Sequence, residues 1–364
     1  MALSRYQLWY GRDSAPPARH ALRAGPLTAL LEEADLRRVR LGEVELAQRI
    51  YVAVRDEVWN TIPATYSDWE IAAAPDHFEV SFVARHRYRE IDLSWRGRIT
   101  GTAEGRITYA MDGTAGSDFR YCKIGFNVHH PLHGSVGRPY RAATPDGPVG
   151  GVLPELIDPQ RFEQGRLTAM FAPYQSLAIE PRDGLTVRFD FEGDLFELQD
   201  HRNWTDGNFK SYGTPLSVPF PMDAHRGQQL QQQVSLSVEG RAPALAAEAG
   251  SLRLTIGDPI GRTLPPIGTA MASHGGALSA READLLRPLR LDHVRVDLQI
   301  QEPHWQDALR RAAATCEALE STLELALFAT EDGDAQLAAC GALLRSLALT
   351  PARVLVFEGA GSRS

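Results

Sequence analysis

Residues 187–192 read VRFDFE, and this alternation of apolar and charged side chains decides the fold class of the first two thirds of the chain. Residues 77–82 (HFEVSF) and 233–238 (QVSLSV) repeat the alternation. A period of two places one set of side chains in a core and the other in water, as in antiparallel sheets. These segments are therefore predicted to be strands with one buried face.

Turn signals separate such strands along the chain. Short glycine-containing breaks occur at residues 41–43, 103–105, 111–113 and 182–184. A stretch of about 220 residues with short strands and few helix signals is typical of two packed sheets. We predict a large antiparallel β-sandwich over residues 21–250, preceded by an N-terminal tail over residues 1–20.

The pattern changes after Gly257, and residues 260–364 read as alternating strands and helices. The predicted strands are 267–272, 291–298, 323–328 and 353–357, and the predicted helices are 279–289, 305–319 and 334–347. The first helix opens at Ser279 with the capping box SARE. Strands linked by helices at this spacing form parallel units. The predicted fold class is multi-domain, β plus α/β: a large antiparallel β-sandwich followed by the first half of a (β/α)8 TIM-type barrel.

Half of a barrel leaves a parallel sheet with an open edge, which is costly in water. Three explanations are open: the chain is a truncated product, a partner chain or self-association completes the barrel, or the four units form a different open sheet. We expect one of the first two.

Composition excludes several classes of function. A net charge of −8 and an isoelectric point near 5.8 argue against a nucleic-acid partner. No apolar run approaches the roughly 20 residues that a membrane helix needs, so no membrane partner is expected. The three cysteines lack metal spacing and suit reduced thiols. The first residues do not resemble a signal peptide, and we therefore expect a cytoplasmic protein.

Residues 195–212 read LFELQDHRNWTDGNFKSY, which sets charges and amides among four aromatic side chains. This mixture is typical of a pocket for a polar ligand, because charges orient hydroxyls and carboxylates while flat rings pack on carbon faces. The alternative is a buried polar network that fixes a long loop to a sheet.

The same segment resembles the D-apionate lactonases of sugar-acid catabolism. The pattern is E-x-Q-D-x-R-N-W-T-D-x-x-[FY]-K-x-Y, met here by Glu197, Gln199, Asp200, Arg202, Asn203, Trp204, Thr205, Asp206, Phe209, Lys210 and Tyr212. Further resemblance occurs at residues 22–27, 125–131, 137–139 and 156–159, within a region of similarity over most of residues 20–300. The resemblance implies hydrolysis of a five-membered sugar-acid lactone.

Lactone hydrolysis needs an activated water and a site for the oxyanion, and four residues of the segment suit these roles. Asp200 or Glu197 is a candidate general base. Arg202 and Lys210 are candidates to hold the oxyanion or the product carboxylate, since an Arg fork binds both carboxylate oxygens.

The remaining polar and aromatic residues of the segment are candidates for substrate binding. Trp204 would pack on the sugar face, while Asn203 and Asp206 would hydrogen-bond its hydroxyls; Tyr212 belongs to the same set. In the structural alternative, Arg202 pairs with Asp206 or Asp200 inside the fold and the Trp lies in the core.

Three histidines form a second candidate, in the sequence NVHHPLH at residues 127–133. No cofactor is predicted, but a divalent metal is possible, with His129, His130 and His133 as its ligands. His130 is also a candidate acid or base near neutral pH. Structural histidines are the third possibility, and Lys123 is a weaker candidate for the same pocket.

Active-site residues of (β/α) barrels follow the carboxyl ends of the strands. Those positions give His274, Asp297 and Glu358, with Glu358 as a catalytic candidate and Asp297 as a substrate-binding one. Phe357 stands where the large glycosidase clan has Asn before its catalytic Glu, which weakens a glycosidase interpretation.

No G-x-S-x-G elbow is present, so direct attack by water is preferred to a serine nucleophile. The leading hypothesis is a carboxylic-ester hydrolase, a lactonase whose partner is a small sugar-acid lactone. The alternatives are a glycoside hydrolase or sugar epimerase on the same scaffold, and a non-catalytic carbohydrate-binding subunit.

Overall fold

The computed structural model describes residues 4–157, 159–163, 166–240, 254–258, 260–272, 274–329 and 334–358. The chain divides into two compact units, Met1–Leu252 and Arg253–Ser364. Each unit has a hydrophobic core of its own.

The first unit is built from antiparallel strands, with one short helix near its start, α1 (Arg5–Tyr10). Its strands in chain order are β1 (Arg19–Ala24), β2 (Leu27–Glu32), β3 (Asp35–Leu41), β4 (Val44–Asp56), β5 (Ala64–Ala73), β6 (Phe78–Tyr88), β7 (Ile91–Gly101), β8 (Ile107–Ala115), β9 (Phe119–Pro131), β10 (Pro139–Thr144), β11 (Gly147–Val152), β12 (Arg161–Glu163), β13 (Arg166–Thr168), β14 (Ser176–Arg182), β15 (Leu185–Glu192), β16 (Glu197–Asp200), β17 (Asn208–Tyr212), β18 (Met222–Ala224) and β19 (Gln229–Gly240).

Two large sheets form the predicted sandwich. The first has eight strands in the order β1-β2-β3-β4-β9-β17-β16, with β18 paired to the other end of β9; the second has nine, in the order β11-β10-β14-β15-β19-β8-β7-β6-β5. Their inner faces share one core, in which Tyr109 of the second sheet contacts Phe126 of the first at a ring-centroid distance of 4.8 Å. The hydroxyl of Tyr109 also donates to the carbonyl of Ala34 across the core, at 2.7 Å.

The alternation in residues 187–192 produces the sandwich as predicted. Val187, Phe189 and Phe191 of β15 are buried, while Arg188 and Glu192 lie on the solvent side. The other two alternating segments fall in β6 and β19, and their apolar residues likewise face the core. Burial of the Phe189 and Phe191 rings is the largest favourable contribution of residues 187–192 to the free energy of folding, on the order of 2 kcal/mol for each ring.

The second unit contains the predicted parallel strands and helices. They are β20 (Gly268–Ala270), α2 (Ala280–Leu286), β21 (His293–Gln299), α3 (Trp305–Leu319), β22 (Thr322–Ala329), α4 (Asp334–Ser346) and β23 (Pro351–Glu358). The strands pair in chain order, and every pair is parallel. The capping box at the start of α2 is present, with Ser279 accepting from the Glu282 amide at 3.3 Å.

One face of the parallel sheet packs against helix α3. Val294, Val296 and Leu298 of β21 form a core with Leu309 and Ala312 of the helix. The opposite face of β21 carries polar side chains at alternate positions, as the sequence of this strand requires. Among the described residues, no helix is long and apolar enough to cross a membrane.

Candidate active site

Strands β4, β9 and β17 lie side by side and present polar side chains on the face of the sheet that points away from the core. Their register pairs six residues in two rows, Arg49–His129–Lys210 and Tyr51–Asn127–Tyr212. Side chains two residues apart share a face, whereas the alternate residues Ile50 and Val128 are buried in the core. The outer-face site is defined here as these six residues with Lys123, Glu197 and His201.

The segment that follows β16 folds a further residue onto this site. Asp200 caps the 3-10 turn His201–Trp204 by accepting from the Arg202 amide at 3.1 Å. Thr205 then adopts a left-handed backbone conformation, with φ of 65°, and ends the turn. This tight turn places the His201 ring against the ring of His129, with their centroids 5.5 Å apart.

Two lysine amines approach the ring of Tyr212. The Nζ of Lys123 lies 4.7 Å from the ring centroid, and the Nζ of Lys210 lies 5.4 Å from it. Burial lowers the pKa of each lysine to about 8, because removing an ammonium group from water disfavours its charged form. Both amines therefore exchange protons close to physiological pH.

Glu197 supplies a carboxylate beside this pair. Its Oε2 accepts from the Tyr212 hydroxyl at 3.2 Å and from the Leu216 amide at 2.8 Å. Burial, and next the charge of Glu197, raise the pKa of Tyr212 well above its usual value, so the phenol stays protonated. Glu197 thus fixes the orientation of the ring that both amines contact.

Two side chains, His201 and Asp206, connect Lys210 to solvent. The Nζ of Lys210 donates to the Nε2 of His201 at 3.1 Å, and the Nδ1 of His201 lies 3.0 Å from the Oδ2 of Asp206. Asn208 adds an acceptor for the same Nδ1 at 3.1 Å. Burial, then the charge of Lys210, lower the pKa of His201, which favours the neutral ring that this chain of hydrogen bonds requires. The side chain of Asp206 is 53% exposed.

His129 contributes a neutral imidazole to the site. Its ring packs edge-on against Tyr51, at 5.4 Å between centroids. Burial, and next the charges of His201 and Arg49, lower the pKa of His129 to about 3. Its Nε2 is buried and has no hydrogen-bond partner among the described residues. No described group uses the lone pair of this nitrogen, and a ligand reaches it only by displacing the atoms that cover it.

Asp200 and Arg202 lie on the other side of the segment, where they bind each other. The guanidinium donates from Nε and NH2 to the two carboxylate oxygens, at 2.8 and 2.7 Å. Its remaining donors reach the carbonyls of residues 154–156. The Asp200 side chain is 1% exposed. This is the structural alternative considered for the pair, and their predicted catalytic roles would require these bonds to break.

His130 faces the core, although it adjoins His129. It is 0% exposed, its ring packs on Phe189, and its Nε2 bonds the hydroxyl of Ser211 at 2.6 Å. The same hydroxyl bonds Tyr174 at 2.6 Å. His130 thus does not lie on the face that carries Lys123 and Lys210, whereas His129 does.

The three predicted metal ligands do not converge. His129 lies on the outer face, His130 in the core and His133 on an exposed turn. Neighbouring strand residues point to opposite faces, so His129 and His130 cannot bind one ion. Among the described residues, no group of three His, Cys, Asp or Glu side chains could hold a metal.

Family models match both units of the chain. The model described as "D-apionate lactonase, N-terminal domain" matches residues 7–241, and the model described as "D-apionate lactonase, TIM barrel domain" matches residues 267–364. The chain belongs to the D-apionate lactonase family. The predicted fold class is confirmed in both parts, since the parallel second unit is matched as a TIM barrel domain.

Known proteins resemble the chain to different degrees. A D-apionate lactonase of Brucella anthropi is 28% identical over 291 residues, which are 78% of this chain and 46% of that protein. The chain thus spans about half the length of this curated relative. Slr1438 from Synechocystis aligns with 64% of this chain and 100% of its own, at a TM-score of 0.43 and 8% identity. The corresponding values for a galactose 1-epimerase from Lactobacillus acidophilus are 63%, 96%, 0.41 and 7%.

The other predicted site residues of this D-apionate lactonase family member occupy varied positions. Trp204 is 54% exposed and so is not a core residue. Asn203 donates to the Asp200 carbonyl at 3.3 Å. Asp297 bonds the Nε of Arg295 at 2.8 Å on the polar face of β21. Glu358 ends β23, with its backbone paired to Ala329, and its side chain lies outside what the structure describes.

Four residues of the outer-face region did not emerge from the sequence: Arg49, Tyr51, Arg55 and His201. Three of them alternate along β4, where polar residues interrupt a mostly apolar strand. That alternation was a usable signal, but nothing local connects β4 with β17, which lies about 160 residues later. A second signal was the rarity of lysine: the whole chain contains only Lys123 and Lys210.

Proposed function

We propose that this protein hydrolyses a five-membered sugar-acid lactone, of the D-apionolactone type, to the free sugar acid. Membership of the D-apionate lactonase family supports the reaction class, and the Brucella anthropi relative carries that activity in its name. The alternatives of glycoside hydrolysis and epimerisation have no comparable support from this chain.

The outer-face site suits this chemistry. The observation that carries the proposal is the grouping of Lys123, Lys210 and the unpartnered Nε2 of His129 on one face. Lactone opening develops negative charge on the carbonyl oxygen and ends in a carboxylate, and both are stabilised by buried cations. The His129 nitrogen would bind a ring hydroxyl or the attacking water.

Substrate contacts beyond the reacting bond are assigned to the rim of the site. Trp204 exposes a flat apolar face, which suits the carbon face of a sugar ring. Asp206 and Asn203, predicted to bind hydroxyls, lie in the same turn and loop. Asp297 and Glu358, in the second unit, remain predicted contributors to the reaction.

The test is hydrolysis of a panel of sugar-acid lactones by the purified chain, followed by proton release with a pH indicator. We expect turnover of branched five-membered lactones, and no turnover of aryl glycosides or of free aldoses assayed in parallel. A repeat with a chelator tests the metal alternative, for which we expect no loss of rate. A folded chain that binds sugar acids but opens no lactone would be a carbohydrate-binding subunit instead.

A cytoplasmic location is also proposed, because Cys122, Cys316 and Cys340 are all free and buried. Completion of the barrel by a partner chain or by self-association remains a prediction. Light scattering of the purified chain measures the second possibility, since a dimer would have twice the mass of 40.1 kDa.

A further inference from the structure

The two lysines of the chain lie in one place. The sequence contains 38 lysine and arginine residues, of which only Lys123 and Lys210 are lysines. Both lie on the outer face of the first sheet, and both amines contact the Tyr212 ring. A composition that favours arginine explains why lysines are few, but it does not explain why both lie on one ring. Arginine cannot lose its proton in proteins, whereas a buried lysine can.

The surroundings of the two amines differ. Lys123 is influenced by the carboxylates of Glu197 and Asp194, which favour its charged form. Lys210 is influenced by Arg55, which favours its neutral form, and by Asp206, which opposes it. Asp206 is already held by His201, which accepts from the Lys210 amine. Lys210 thus has hydrogen-bonded partners that orient its amine, whereas Lys123 has two carboxylates that favour its charged form.

We propose that Lys210 is the general base of the lactonase reaction, that His201 and Asp206 position it, and that Lys123 holds the oxyanion. This inference rests on the proposed function. It replaces Asp200 as the predicted base, because the Asp200 carboxylate is buried and bound to Arg202.

The proposed step balances without any further reactant. The lone pair of the Lys210 amine takes a proton from water while the water oxygen forms a bond to the lactone carbonyl carbon. The carbonyl π electrons move onto the oxygen beside the Lys123 ammonium. The oxyanion electron pair then re-forms the carbonyl bond as the ring C–O bond breaks, and Lys210 returns its proton to the leaving ring oxygen. The product is the open hydroxy acid, whose carboxyl group releases its proton to solvent and stays beside Lys123 as a carboxylate.

The charged groups around Lys210 come from three directions. Asp206 and His201 approach from the turn and the loop after it, and Arg55 approaches from β4. His129 and Lys123 approach from β9, where the Lys210 charge acts on both. Because the pKa of Lys210 is about 8, roughly half of the Lys210 side chains are neutral amines when the pH is about 8.

Substitution of each lysine by arginine separates a base from a fixed cation. Lys210→Arg keeps the positive charge but cannot accept a proton, so we expect kcat to fall by at least about a hundredfold with little change in KM. Lys123→Arg keeps the cation that its role requires, so we expect a loss of less than about tenfold. Equal losses in the two variants, or a Lys210→Arg protein as active as the wild type, would overturn the assignment.

The pH profile tests the positioning residues. We expect kcat/KM to rise with pH as Lys210 loses its proton, with a midpoint of about 8 on this limb. It should fall at higher pH as Lys123, whose pKa is also lowered to about 8, loses the charge that holds the oxyanion. Asp206→Asn removes a charge that raises the pKa of Lys210, so the midpoint should move to lower pH. Asp183→Asn is the matched control, since that side chain is 97% exposed and pairs with Arg138. An unmoved midpoint in Asp206→Asn would show that the carboxylate does not act on the base.

A measurement without turnover separates this inference from the proposed function. Lysine labelled with ¹³C at Cε gives two signals from the whole protein, one for each amine. We expect both to titrate near pH 8, and the Lys210 signal to titrate lower in Asp206→Asn. A Lys210 amine that titrates at its ordinary value of 10.5 contradicts the assignment even in an active enzyme. If no lactone is hydrolysed by the folded wild type, the proposed function fails, and the base assignment fails with it.

Discussion

His129 and His130 are adjacent in strand β9, and they show how the two faces of one sheet treat the same side chain. His130 is enclosed in the core, where the Ser211 hydroxyl satisfies one ring nitrogen. His129 lies on the outer face among rings and cations, and each ring leaves one buried nitrogen without a partner in the described part of the chain, Nε2 of His129 and Nδ1 of His130. Burial lowers the pKa of both to about 3, so a shifted pKa alone does not distinguish a site from a core.

The groups that surround each side chain make the distinction: His130 packs on Phe189 in the core, whereas His129 packs against His201 beside the two lysines. The Asp200–Arg202 pair has the strongest contacts in the segment, and these contacts use the groups that a substrate would need. The outer-face site instead holds amines and an imidazole whose surroundings leave lone pairs or protons free to exchange. Lone pairs and protons that neighbouring groups leave unused are therefore a better guide to a candidate site than the number of its charged side chains.

The largest effect is expected when the buried Asp200–Arg202 ion pair is broken. Arg202→Ala leaves the buried Asp200 carboxylate without its partner, which costs about 3–5 kcal/mol in the free energy of unfolding. The control is Arg188→Ala, which removes an Arg–Asp pair at the same spacing on the solvent face, and it should cost at most about 1 kcal/mol. Urea denaturation measures both.

Activity of the same variant separates the two roles considered for Arg202. Assayed well below its unfolding temperature, Arg202→Ala should keep most of its activity for each folded molecule. If the variant is as stable as the wild type but inactive, Arg202 contacts the substrate after all.

Acid unfolding tests the burial of His130 in the core. The unfolded chain protonates His130 at a pKa near 6.5, whereas the folded chain does so only at about 3. Stability is thus fully present above pH 6.5 and falls by about 1.4 kcal/mol per pH unit as the pH drops toward 3. His130→Leu should remove this part of the pH dependence and leave lactone hydrolysis intact, while the part that His129 contributes through its own lowered pKa remains. His225→Leu, at a side chain that is 78% exposed, is the control; an equal pH dependence in all three proteins would contradict the prediction.

Much of the fold follows from local signals in the sequence. The alternation in residues 187–192 and the capping box at Ser279 each depend on neighbours within a few residues, and both appear in the structure. The order of strands in the sandwich is not local. Strand β9 pairs with β4 and with β17, and no period in the sequence indicates which distant strands will meet.

The candidate site stays a prediction, and local sequence signals point to only part of it. The 195–212 segment supplies Glu197, Lys210 and Tyr212 to the outer face, as its composition suggested. The sequence could not show that Asp200 would point inward, nor that His129 and not His130 would point outward. A shift of one residue in the strand register would turn each of these side chains to the opposite face of the sheet.

The smallest effect is expected for a substitution of His129, which tests how this residue differs from His130. His129→Phe keeps a ring to pack against Tyr51 and His201 but removes the unpartnered nitrogen. Loss of one hydrogen bond to the substrate or its water should lower kcat/KM by about fivefold, since such a bond contributes about 1 kcal/mol. The melting temperature should not fall, because the substitution removes a buried polar atom that had no partner in the described fold. If His129→Phe is fully active while His130→Leu is inactive, the inner face of β9 carries the chemistry, and the assignment of the outer face as the site is wrong.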